Sequence, residues 1–85
     1  MPKKLILTAH ARERLQSRKI KLEWVEGTVR TPDWSEADPD DPGIERRFRA
    51  IRQFGGRTLR VACVETGTTI RVISAMFDRS ARRKP

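Results

Sequence analysis

Three runs in the C-terminal half read as strands: Ile44 to Arg52, Arg57 to Glu65 and Thr69 to Phe77. Gly55-Gly56 separates the first pair and Thr66-Gly67-Thr68 the second, at the spacing of hairpin turns, so a three-stranded antiparallel meander is predicted. Toward the N-terminus, Lys4 to Leu7 reads as a short first strand. Thr8 is placed to cap a helix from Ala9 to about Arg18. On that helix Ala11, Leu15 and Arg18 share a face, with Arg14 and His10 along the same side. The stems of Arg14 and Arg18 then pack on the sheet edge, and their heads pair with carboxylates such as Glu23, Glu26 or Asp33. A second helix, Leu22 to about Arg30, presents Leu22, Val25 and Val29 as a core stripe, with Trp24 nearly opposite. The order β-α-α-β-β-β predicts an α+β fold in which two helices pack on one face of an antiparallel sheet, with the first strand at an edge.

Between helices and meander lies Thr31 to Gly43, which carries five acidic residues, three prolines and no basic residue. It reads as an irregular surface loop inside one domain. At 85 residues the chain holds one core, assigned to residues 1–78, followed by a basic tail at 79–85 that reads as solvated. A core this small leaves no room for a large enclosed cavity, which directs attention to the surface.

Charge changes the picture most. Nineteen Lys and Arg against eleven Asp and Glu give a net charge of +8, and the basic residues are mostly Arg, whose planar fork of donors suits phosphate and carboxylate oxygens. Nucleic acid or an acidic protein is the expected partner class. With one cysteine (Cys63) and one histidine (His10), neither a disulfide framework nor a Cys/His metal site is expected, and no cofactor is. The apolar run Leu5 to Leu7 is too short for a signal-peptide core or a membrane span, so the chain reads as cytoplasmic.

A two-residue Gly-Gly loop would pair Phe54 with Arg57. Continuing that register sends Phe48, Ala50, Leu59, Val61 and Cys63 to the helix side and Arg47, Arg49, Arg60, Ala62 and Val64 to the open side. Guanidinium groups crowded on an open face repel one another unless an anion screens them, which makes that face the expected phosphate-binding surface, extended by Arg79, Arg82 and Arg83 of the tail. Arg71 and Ser74 have opposite parity on the last strand, and spacing does not say which of them joins it.

The segments Glu45-Arg-Arg-Phe-Arg-Ala-Ile51, Gly55-Gly-Arg-Thr-Leu-Arg-Val61 and Ile70-Arg-Val-Ile-Ser-Ala75 resemble the BrnT toxins of the RelE/ParE superfamily. His10-Ala-Arg-Glu-Arg-Leu-Gln-Ser-Arg18 is similar to the opening of an uncharacterised domain family in the same superfamily. The resemblance implies a RelE-like fold, a toxin of a bacterial toxin-antitoxin pair with ribonuclease activity often directed at translated messenger, and a cognate antitoxin-like partner covering the basic surface. Arg49 matches a basic position of the Arg-Phe-Arg segment, and Arg71 and Ser74 match the terminal strand motif. The chain departs from BrnT after Ala75, where Met76, Phe77 and Asp78 replace the usual Arg, Glu-Arg and Tyr.

Metal-free RNA cleavage needs a base for the 2′-hydroxyl, cations for the charged phosphorane and an acid for the leaving oxygen. Arg49, Arg60 and Arg71 are the candidate cations, and His10, Glu45 and Glu65 the candidate bases. The alternative is a module that grips RNA or an acidic partner without chemistry.

Overall fold

The computed structural model describes residues 3–82. Its elements are β1 (Lys4–Leu7), α1 (Ala9–Ser17), α2 (Leu22–Arg30), β2 (Trp34–Ala37), β3 (Glu45–Ile51), a single 3-10 turn (Arg52–Phe54), β4 (Arg57–Glu65) and β5 (Thr69–Phe77). The five strands form one sheet in the order β1-β5-β4-β3-β2. Both helices pack on the same face, α1 against β5 and β1, α2 against β4 and β3. This is the expected α+β architecture. The sheet is mixed rather than wholly antiparallel, because β1 enters at the edge parallel to β5. No helix among the described residues is long and apolar enough to cross a membrane.

The core is the layer between helices and sheet. Ala11, Leu15, Ile20, Trp24, Val25 and Val29 meet Leu59, Val61, Cys63, Ile70, Val72 and Ala75 there, and burial pushes the Cys63 thiol pKa up. Thr8 caps α1 as predicted, its hydroxyl accepting from the Ala11 N–H at 3.1 Å. β1 is short and leaves the outer half of β5 unpaired, and α1 covers that edge. Thr8 donates its N–H to the Val72 carbonyl at 3.1 Å, and Arg18 donates to the Ala75 carbonyl at 2.9 Å. Arg18 therefore satisfies a strand edge instead of a carboxylate, and Arg14 donates to His10 Nε2 at 3.3 Å.

Helix α1 ends in a Schellman motif. Ile20 donates to the Leu15 carbonyl at 2.9 Å and Lys19 to the Gln16 carbonyl at 3.3 Å, with Lys19 at φ 54°. Helix α2 is rotated from expectation: Trp24, Val25, Thr28 and Val29 are buried and Leu22 is 50% exposed. The indole turns inward because two rings wait for it, Phe54 at 5.6 Å and Phe77 at 6.1 Å between centroids.

Two corrections bear on function. First, the acidic segment is not wholly irregular: its Trp34–Ala37 stretch pairs antiparallel with β3 as an edge strand. Trp34 lies opposite Phe48 and stacks on it, centroids 4.7 Å apart, which buries Phe48 on the face away from the helices. Second, β3 and β4 are joined by five residues rather than two. Ile51 pairs with Arg57, Gly56 N–H closes on the Ile51 carbonyl at 2.9 Å, and Gly55 and Gly56 take φ 66° and 73°. Phe54, expected to pair in the ladder, instead stacks on Phe77 at 4.7 Å. The register moves by three residues, an odd number, so every side chain of β3 changes face relative to β4.

Candidate nucleic-acid interface

That register change relocates the arginines on which the open-face site depended. Arg47 and Arg49 stand opposite Val61 and Leu59, on the helix side, while Arg46 and Phe48 face outward. Arg47 donates to the Val29 carbonyl at 2.7 Å and to Glu65 at 2.7 Å, and also pairs with Glu45. Arg49 Nη1 reaches the Gly27 carbonyl at 3.2 Å and the Thr31 carbonyl at 3.0 Å, with the Thr31 hydroxyl against it. Both guanidiniums thus serve the C-terminal end of α2, where the last carbonyls and the negative end of the helix dipole favour a cation. Glu45 and Glu65 are held as ion-pair partners. Hydrogen bonds from Lys3, at 2.5 Å, and from Arg47 pull the Glu65 pKa down to about 2, far from the range of a general base.

The open face keeps part of the predicted set. Arg60 is there, but it pairs with Asp78 at 2.9 Å and lies against the Met76 sulfur. The Ser80 hydroxyl, more than Arg60, holds the Asp78 pKa below its usual value. Arg46 pairs with Asp38 at 3.2 Å. A bulge between Ala62 and Cys63 on β4 and its partners on β5 resolves the parity of the last strand: Arg71 pairs with Val64 and Ser74 with Ala62, so both reach the open face. The residues opposite them, Ile6, Val64 and Ala62, carry no proton-transfer group. His10 is exposed on the first turn of α1, engaged by Arg14 and not brought to these residues by any described contact. Arg79 and Arg82 are exposed beyond β5, and the predicted contribution of Arg83 lies outside the described residues.

On the open face Arg71 and Arg82 form no ion pair among the described residues, and Arg82 lines a groove with Arg46, Phe48 and Arg60, as expected of the tail. A second set of cations without carboxylate partners lies toward the end of the β3–β4 hairpin. Phe54 is 38% exposed there, with the Arg57 guanidinium 5.0 Å from its ring centroid. Behind it Lys21 lies 5.5 Å from the Trp24 ring. Arg79 shares a shallow cavity with Arg57 and Phe77 on one side, and Arg52 lines a cleft beside Trp24 on the other. Among the described residues none of Lys21, Arg52, Arg57 and Arg79 forms an ion pair. Asp78, the carboxylate nearest Arg79 in sequence, is already occupied by Arg60 and Ser80.

A family model described as a domain of unknown function (DUF4258) matches residues 7–77. The chain belongs to the DUF4258 family. No curated protein and no solved structure matched it. The DUF4258 match runs from the last residue of β1 to the last of β5, so it contains Lys21, Trp24, Arg52, Phe54 and Arg57; Arg79 lies just beyond it. Among the described residues of this DUF4258 domain, no three His, Cys, Asp or Glu side chains are grouped as metal ligands would be.

Sequence reasoning missed the hairpin-end cluster because it placed Trp24 away from the core and Phe54 inside a strand. The usable signal was the run Arg52-Gln-Phe-Gly-Gly-Arg57, an aromatic flanked by arginines at a turn.

Proposed function

We propose that this DUF4258 protein is an RNA-binding module that grips a single strand at the β3–β4 hairpin end and does not cut it. The observation that carries the reading is the half-exposed Phe54 with the Arg57 guanidinium over its ring, together with Lys21 on the neighbouring Trp24 and Arg52 and Arg79 lining the cavities on either side, none of the four in a described ion pair. Phe77 stacks on one face of that ring and the Arg57 guanidinium lies over it as well. An unpaired base therefore stacks on the guanidinium plane layered on Phe54, for about 1–3 kcal/mol, and the neighbouring cations take the phosphates. A duplex hides its base faces, so the exposed ring favours single strands. An RNA ligand also fits a cytoplasmic location.

The ribonuclease and toxin reading rests on the likeness of the strand sequences to BrnT, and a cognate antitoxin-like protein and ribosome-bound messenger belong to it. It is supported by the shared placement of Arg71 and Ser74 on the open face. It is disfavoured by their apolar cross-strand neighbours and by the engagement of Arg47, Arg49, Glu45 and Glu65 within the fold.

Incubating the purified protein with labelled single-stranded RNA at low salt tests both readings at once. Retained, intact RNA is the expected result. No retention contradicts the proposal, and cleavage that disappears in Arg71→Ala replaces it with the ribonuclease reading.

A further inference from the structure

We infer that the cleft beside the hairpin end takes up a guanine base of the bound strand; the inference rests on the RNA-binding reading and names what the strand must contain. The cleft has a volume of about 540 Å³ and lies between α2 and the end of β3, lined by Glu23, Trp24, Asp33, Arg49, Arg52 and Gln53, among others. That size falls within the range of small-ligand sites, about 300–1,000 Å³.

The charged groups in it are not equivalent. Asp33 uses one carboxylate oxygen on the Ala50 N–H at 2.9 Å, and Arg49 uses Nη1 on the carbonyls that end α2. Glu23 and Arg52 are exposed and, among the described residues, pair neither with each other nor with any other charge. One cleft thus offers a carboxylate and a guanidinium that form no described ion pair.

Guanine is the base that answers to both with two hydrogen bonds each. Its N1–H and N2–H groups form a donor pair that a carboxylate accepts from, and its O6 and N7 form an acceptor pair that a guanidinium donates to in a bidentate manner. Adenine places a donor beside its N7, so a guanidinium cannot bind that edge twice. Uracil flanks its single N–H with two carbonyls, which repel a carboxylate. Cytosine can pair its O2 and N3 with a guanidinium but offers a carboxylate only its N4 amino group. Phe54, two residues on from Arg52 in the same turn, carries the Arg57 guanidinium on which a neighbouring base would stack.

Fluorescence anisotropy with labelled octamers tests this, comparing oligouridine with the same oligomer carrying one central guanine, adenine or cytosine. The guanine oligomer is expected to bind about 10-fold more tightly than oligouridine, one good bidentate contact's worth. In Glu23→Gln, and separately in Arg52→Ala, the ratio is expected to fall toward one. Equal binding of all four oligomers, or a preference for another base, overturns the guanine inference and leaves RNA binding standing. A guanine preference that survives both substitutions overturns the assignment of the cleft. Failure of every oligomer to bind overturns the RNA reading itself.

Discussion

Arg47 donates from Nη1 to the Val29 carbonyl at 2.7 Å, and the same guanidinium binds Glu65 and Glu45. One side chain therefore joins β3 to the end of α2 and to the end of β4. Burial works against its charge, but its two carboxylate partners outweigh that and raise its pKa. Substituting Arg47→Met leaves Glu45 and the Val29 carbonyl without this donor and Glu65 with Lys3 alone. The expected cost is about 2 kcal/mol, between an exposed and a buried ion pair, read as a lower urea midpoint at unchanged m-value.

Lys19 sits at φ 54° in the C′ position of the α1 Schellman motif, where glycine carries no Cβ penalty. Its side chain is exposed and forms no described contact that would be lost. Lys19→Gly is expected to stabilise the protein by up to about 1 kcal/mol, reduced by the greater freedom of glycine in the unfolded chain. The thermal unfolding midpoint should rise by a few degrees; a fall would mean that the lysine makes an unrecognised contact.

Glu65 supplies a pH dependence with a defined sign. Its pKa is about 2 in the folded protein against 4.5 for the unperturbed group, so the unfolded state binds the proton first. Its contribution is fully present above about pH 4.5 and is lost as the pH falls through about 2. Carbon NMR of the Glu65 carboxyl should show a midpoint near 2 in the native protein. Removing one donor with Lys3→Ala should move that midpoint upward, because Lys3 is the largest cause of the shift.

Much of the fold was legible in the sequence. Thr8 marked the start of α1, the glycines at 55, 56 and 67 marked the two turns, and β4 and β5 have the predicted bounds. The faces of β3 were not legible, because they depend on the parity of the turn, and that was settled by a tertiary event. Phe54 leaves the ladder to join Trp24 and Phe77, three aromatics brought together from α2, the turn and β5. Local pattern does not reveal such a meeting, and one odd step carried Arg47 and Arg49 from the open face to the helix side. The edge strand β2 was hidden for a related reason: prolines and aspartates dominate its segment, and contacts distant in sequence, Trp34 on Phe48, Asp38 with Arg46 and Asp33 with the Ala50 N–H, secure it. The net positive charge pointed to an anionic partner, whereas its local distribution emerged only once each ion pair could be assigned.

The salt dependence of RNA binding tests the central claim most directly. Affinity for a labelled oligouridine, measured over a series of salt concentrations, gives a log–log slope of about −0.7 per phosphate contacted on a single strand. Replacing two hairpin-end cations in Arg57→Ala/Arg79→Ala should make that slope shallower by about 1.4 and weaken binding, whereas Arg71→Ala on the open face should leave it as in the parent. A double variant that keeps the parent slope, or an Arg71→Ala variant that loses it, would place the RNA on the open sheet face and contradict the account.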